Sequence, residues 1–328
     1  MNSRERVTAL IEHRTPDRIP IYGWLRANLE EQLTERFGSV EAFEDRYEFD
    51  LAHVFGGPSA YWGDELDNLR AEKGGPRDHR DVMDLPLHDV NQDEAYDGLR
   101  EQIDRYQAQR GRFCYVQTPG IFEATNRLFG IENHLMYMAQ YPEELHELYR
   151  RRAEWNRQFA MNCLDLGVDM IHVSDDWGAQ RGLMFSPRMW REMIFPYHKV
   201  TTDAVKARGA HLSLHSDGNV MPVLDGIVDL GYQVVHPYQV SAGMDLERYV
   251  EDYRDKFSIM GGIDIQSTLG FGDYDRLRQE IVEWVETFRD GELILCTTHF
   301  VQDHCSIDEL VFAYDLIYEL VRANGRSS

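Results

Sequence analysis

The sequence predicts an α/β fold: a (β/α)8 TIM barrel with a long insertion between strands 2 and 3. Three observations carry this expectation. There are eight short apolar runs, helical periodicity fills most of the gaps between them, and no GxGxxG follows any run. Strands that alternate with helices pair in parallel through right-handed crossovers, and eight such units close on themselves. A doubly wound open sheet is the competing arrangement, weakened by the missing glycine fingerprint. No low-complexity linker or fixed-period repeat divides the chain, so residues 1–328 read as one domain.

In chain order, Ser3, Glu5 and Arg6 followed by Val7, Leu10 and Ile11 predict a short capped helix that stops before Thr15-Pro16-Asp17. The expected strands are 18–24, 51–55, 113–118, 169–173, 211–215, 233–236, 257–262 and 292–296. Apolar residues at i, i+3 and i+4, such as Leu145, Leu148 and Tyr149, or Leu277, Ile281, Trp284 and Val285, mark helices between them. Residues 56–109 are too long for one loop and helix. They hold Gly56-Gly57-Pro58, Gly74-Gly75-Pro76 and an acidic tract over 78–97, and are expected to overhang the barrel mouth.

An apolar fraction of 43% with 38 aromatic side chains supplies a core and excludes intrinsic disorder. The net charge of −23 repels phosphate backbones, which makes nucleic acid a poor partner. Cys114, Cys163, Cys296 and Cys305 form no CxxC pair and no disulfide framework, which fits a reducing compartment. With no signal-like N-terminus and no membrane-length apolar window, the expected location is the cytoplasm.

Barrel enzymes collect their chemistry where strands run into the following loops. The strand over 169–173 ends in Asp175-Asp176, and adjacent carboxylates on an extended chain point to opposite sides. One of them is a candidate catalytic or substrate-binding group, while the other use is to cap a helix or bind loop amides. Alternation over 211–219 puts His211, Ser213, His215 and Asp217 on one face. His299 ends the last strand, across a narrow mouth from the fifth. His215, Asp217 and His299 thus form a candidate metal set suited to Zn²⁺ or Fe²⁺, with His304 and Cys305 as nearby alternatives. The structural alternative is a hydrogen-bonded His215 with a turn aspartate, and a lone buried His299 bonded to a backbone carbonyl. Gly261-Gly262 allows close approach, so Asp264 either caps a helix or faces a ligand. His236-Pro237-Tyr238-Gln239 forms a rigid corner that places Gln239 at the rim.

Together these segments resemble the uroporphyrinogen decarboxylase superfamily, which includes cobalamin-dependent methyltransferases. The resemblance runs from Arg4-Glu5-Arg6-Val7 and Pro16-Asp17-Arg18-Ile19-Pro20, through Asp175-Asp176-Trp177-Gly178-Ala179-Gln180-Arg181-Gly182-Leu183 with Ser186-Pro187. It continues over His215-Ser216-Asp217-Gly218-Asn219 and Gly261-Gly262-Ile263-Asp264 to Thr298-His299-Phe300-Val301-Gln302. It implies a (β/α)8 barrel. The decarboxylases carry an arginine-rich segment after the first strand, where this chain has Trp24-Leu25-Arg26-Ala27-Asn28 with one arginine. A tetrapyrrole with eight carboxylates is therefore a poor substrate for so acidic a protein.

The methyltransferases bind zinc through a His-x-Cys pair and a distant Cys. Here His215 matches the first ligand, Asp217 stands at the Cys position, and His299 falls at or near the third. The resemblance thus implies metal-dependent methyl transfer between a small methylated compound or thiol and a corrinoid carried by a partner protein. Asp175 or Asp176, Gln180, Arg26, Gln239 and Asp264 would act on the substrate. Two further readings stay open: a metal-free decarboxylase or other lyase on a smaller acid, with His299 handling protons, and a non-catalytic ligand-binding protein. A two-histidine, one-carboxylate zinc site carries one more positive charge than a His/Cys/Cys site, which favours Lewis-acid polarisation of an oxygen as well as thiol activation.

Overall fold

A computed structural model describes residues 1–25, 29–61, 63–74, 79–83 and 85–325. The first helix is Ser3–Ile11, capped by Asn2 instead of Ser3. Asn2 is extended and accepts from the Glu5 amide while Glu5 accepts from the Asn2 amide, a reciprocal capping box.

Nine strands follow among the described residues: β1 (Leu51–Val54), β2 (Phe113–Pro119), β3 (Met170–Ser174), β4 (Gly178–Ala179), β5 (Gly182–Leu183), β6 (His211–His215), β7 (Val234–His236), β8 (Ser258–Ile263) and β9 (Leu293–Thr297). Seven form one parallel, curled sheet in the order β1-β2-β3-β6-β7-β8-β9, and β4 and β5 make a small antiparallel hairpin. Every residue of β1, β3, β7, β8 and β9 is buried, as expected where both faces of a parallel sheet are covered. The apolar cluster is continuous from Val7 in the first helix to Val321 in the last.

The strand expected at 18–24 shrinks to a single bridge between Ile21 and Leu295. Pro20 has no N–H to donate, which limits the ladder. The segment still joins both edges of the sheet: Tyr22 N donates to Leu295 O (3.0 Å), Leu295 N to Pro20 O (2.9 Å), and Asp50 N to Ile21 O (2.8 Å). The observed sheet is therefore seven-stranded and TIM-barrel-like, with residues 20–22 spanning the gap.

The connection from β1 to β2 carries helices Gly63–Lys73, His79–Met83 and Asp97–Ile103, the last continuing into one π-turn at Asp104–Ala108. Its first stretch, 55–61, lines a cavity beside the strand ends. Gly75 and Pro76 of the predicted turn lie outside the described residues. Strand register places Pro119, Ser174, His215 and His236 at one level, at the C-terminal ends of β2, β3, β6 and β7. No helix among the described residues is long and apolar enough to cross a membrane.

Candidate functional site

Two loops meet at that level because two glycines allow it. The β4–β5 hairpin lies against the turn after β6, with Asn219 N donating to Ala179 O at 3.0 Å. A Cβ on Gly178 would collide with the Asp217 carbonyl, and one on Gly218, whose φ is +78°, with the Gly178 backbone. This contact carries Asp176 to the Asp217 amide, which donates to Asp176 Oδ1 at 2.8 Å.

His215 is buried and held from below by a chain of hydrogen bonds. His236 Nε2 lies 3.3 Å from the Thr297 carbonyl, which can only accept, so that nitrogen carries the proton. Burial and the neighbouring His215 hold His236 well below the ordinary histidine range, so it is neutral and its Nδ1 is a lone pair. At 2.8 Å from that lone pair, His215 Nδ1 must donate, so Nε2 is the nitrogen left free to act as a ligand. Nε2 faces Asp176 Oδ1 at 3.6 Å and Asp217 Oδ1 at 3.9 Å, beyond hydrogen-bond distance of either. His299 Nε2 lies 4.0 Å from Asp217 Oδ2, and its Nδ1 is buried without a partner.

A lone pair among carboxylate oxygens is the donor set of a cation. Asp176, His215 and Asp217 each offer a ligand atom, all within 4.8 Å of one another. Two ligands on a tetrahedral zinc stand about 3.4 Å apart, so the two His215–carboxylate separations, 3.6 and 3.9 Å, need to close by only a few tenths of an ångström. Of the sequence-predicted set, His215 and Asp217 fall in this group with Asp176 as the third donor, whereas His299 approaches Asp217 at 4.0 Å and lies outside the group. A second group, His172, His215 and His236, is also close enough to share an ion, on the buried side of His215.

Residues 76–319 match the uroporphyrinogen decarboxylase (URO-D) family over most of the chain. The chain belongs to that family. A methyltransferase from Methanosarcina mazei superposes with a TM-score of 0.68 at 13% identity, over 97% of this chain and 99% of that one. A B12-independent methionine synthase from Shewanella sp. W3-18-1, in complex with selenomethionine, gives a TM-score of 0.49 at 12% identity, covering 70% of this chain and 68% of that one. No curated protein matches the chain.

In this URO-D family member the remaining predicted residues fall in different places. Asp175 is fully buried and turned away from the mouth. It accepts from the amides of Ile121 (3.1 Å), Phe122 (3.1 Å) and Glu123 (2.6 Å), from Trp177 Nε1 (2.8 Å), and faces His198 Nε2 at 2.7 Å. It therefore holds the start of helix Phe122–Phe129. The His198 and backbone bonds outweigh burial and lower its pKa. Gln239 is buried, accepting from Gly218 N at 2.9 Å and donating to Gln266 Oε1 at 2.8 Å, so it braces the turn instead of standing at the rim. Gln180 is exposed and donates to the same Gln266 oxygen at 3.1 Å. Asp264 accepts from Gln266 N at 2.7 Å and Ser267 Oγ at 3.2 Å, a turn-capping use. His304 bonds the Ile265 carbonyl at 2.9 Å. Arg26 lies outside the described residues.

Several functional candidates escaped sequence reading. Trp24 sits among the rings of His53, His172, His215, His236 and His299, with centroids 4.9 to 6.2 Å away. It is fixed by an indole bond to the Tyr115 hydroxyl, which donates to Tyr22 Oη at 2.9 Å. Burial, with His215 nearby, pushes His53 down to about 3. Above Trp24 opens a cavity of about 440 Å³ bounded by Asp176, His215, His299, Phe300 and Glu123. Glu123 bonds Ser174 Oγ at 3.0 Å, and burial with the nearby Asp176 and Asp175 raises its pKa. Strand alternation over 51–54 and 170–174 is the signal that would have marked His53 and His172. Glu123 had no such signal, because it lies past the strand end in a helix.

Proposed function

We propose that this URO-D family member is an enzyme of the methyltransferase branch, moving a methyl group between a small methylated compound or thiol and a corrinoid carried by a partner protein. The observation that carries the reading is His215 Nε2, a lone pair aimed between the Asp176 and Asp217 carboxylates. His215 and Asp217, with His299 and Asp176, would hold a divalent metal, and two imidazoles with carboxylates suit zinc. When bound, such an ion polarises a substrate oxygen or lowers the pKa of a thiol.

The chain's own groups do the rest. His236 holds the proton at His215 Nδ1 and so fixes the ligand tautomer. Trp24 and Phe300 wall the cavity against water. Glu123, its pKa raised by burial and the nearby carboxylates, faces the cavity and is placed to exchange a proton with a leaving oxygen or sulfur. Asp175, Gln239 and Asp264 position the loops that carry these groups. The likeness to a methyltransferase along the whole chain supports the branch at the level of fold.

The test combines metal analysis of purified protein with demethylation of methylcobalamin by added thiols, followed by corrin absorbance. The expected result is about one equivalent of zinc and a demethylation rate lost in Asp217→Ala. No calorimetric binding of Zn²⁺, Fe²⁺ or Co²⁺, together with CO₂ release from a small carboxylic acid, would overturn the reading in favour of a lyase.

A further inference from the structure

A second cavity, of about 480 Å³, adjoins the one above Trp24 and shares Phe55, Gln117, Glu123, Arg127 and Ser174 with it. One of its walls carries Arg152, from helix Pro142–Asp165. The other guanidinium groups of that helix are satisfied. Arg150 pairs with Glu147 at 2.7 Å, Arg151 donates to the carbonyls of Met83 and Leu85 at 2.8 Å each, and Arg157 pairs with Glu154. Arg152 has no hydrogen bond or ion pair among the described residues, and its Nε is buried. It lies over the rings of Trp155 and Tyr61, with centroids 5.5 and 5.9 Å away.

In a chain with 57 acidic and 34 basic side chains, a half-buried guanidinium whose buried Nε meets no carboxylate is a costly exception. Burial and the nearby Arg127 push Arg152 down to about 10, so it stays charged at neutral pH. Arg127 also lines the cavity, but Glu123 already neutralises it at 3.0 Å. One positive charge is left for a ligand. The surrounding wall, Tyr61, Trp155 and Phe159, is aromatic and suits a flat apolar body.

We propose that Arg152 binds the carboxylate of a small aromatic or similarly flat monoanionic acid, whose other end reaches through the shared wall to the His215 and Asp217 cluster. This names the substrate class and rests on the proposed function only for which end reacts. The guanidinium offers a carboxylate two parallel N–H donors, and one such charge matches one carboxylate. A polyanion would meet the surplus negative charge of the protein.

The test uses the full chain, with benzoate as probe and benzamide as its neutral counterpart, by calorimetry. Benzoate is expected to bind at least about tenfold more tightly than benzamide. Arg152→Met keeps the apolar stem and should remove that preference while benzamide binding persists; Arg152→Lys should retain part of it. Thermal melting of both variants confirms that they are folded. Asp217→Ala should lose metal and keep benzoate binding, so a failure of the metal reading leaves this test intact. Equal affinity for benzoate and benzamide, no benzoate binding, or undiminished benzoate binding by folded Arg152→Met would overturn the proposal.

Discussion

The proton on His215 Nδ1 decides what the opposite nitrogen of the ring can do. It is placed there by His236, itself set by the Thr297 carbonyl, so the bare Nε2 depends on a residue that never reaches the cavity. His236→Phe is therefore expected to weaken zinc binding about 10- to 100-fold without removing a ligand, a loss measured by competition with a chromogenic chelator. Asp217 gives the complementary case. Asp217→Ala should lower metal affinity by at least about tenfold, while Asp217→Cys should retain zinc, since thiolate suits that ion. The Cys variant should also gain thiol demethylation relative to any oxygen-directed activity, because the site loses positive character. Equal metal content in wild type and Asp217→Ala would refute the ligand assignment. Alternation along 211–217 was enough to find His215 and Asp217, because a strand's period is fixed by its backbone. The support from His236 was hidden, since only the sheet register sets it beside His215.

Seven of the eight expected strands form, because buried parallel strands advertise themselves as short apolar runs between helical patterns. The exception at 18–24 carries a proline near its middle, and its bonding is shared with a side chain, which no periodicity records. The hairpin β4–β5 was likewise invisible: each strand is two residues long and exists to bring Gly178 against Gly218. Gly218→Ala should push the loops apart, weaken metal binding with Asp217 still present, and destabilise the fold by more than about 1 kcal/mol at a left-handed position. The Asp175 side chain was offered two uses by the sequence, and its bonds are those of the structural one. Asp175→Ala would orphan three amides and His198, and should cost about 3 to 5 kcal/mol in chemical denaturation. The sign with pH follows from its lowered pKa. The contribution is present above the unfolded carboxyl value near 4 and lost as pH falls through the folded value, so the variant should show a flatter acid limb than wild type. A normal stability with lost activity would instead place Asp175 in the chemistry.

The whole molecule must close a sheet while carrying a net charge of −23. The surplus carboxylates repel one another across the surface, so added salt is expected to raise the melting temperature of the wild type. Closure is local, and it rests on Asp50. This carboxylate has no solvent exposure and accepts from Ser3 Oγ (2.9 Å), Arg6 Nη1 (2.7 Å), Arg18 Nη1 (2.6 Å) and Ile21 N (2.9 Å). It thereby ties the first helix, the bridging segment and the start of β1 to one point, which gives a physical reason for Arg6 and Arg18 in the two N-terminal motifs. Asp50→Ala would leave two arginines facing each other over a buried gap and an amide without an acceptor. We expect a loss of about 3 to 5 kcal/mol, with Asp50→Asn intermediate because it keeps an acceptor for Ile21. Hydrogen exchange separates closure from local fraying. If Asp50 closes the sheet, the amides of β1 and β9 should lose protection together, since residues 20–22 bond to both edges. Loss confined to helix Ser3–Ile11, with β9 still protected, would reduce Asp50 to an anchor for the N-terminus.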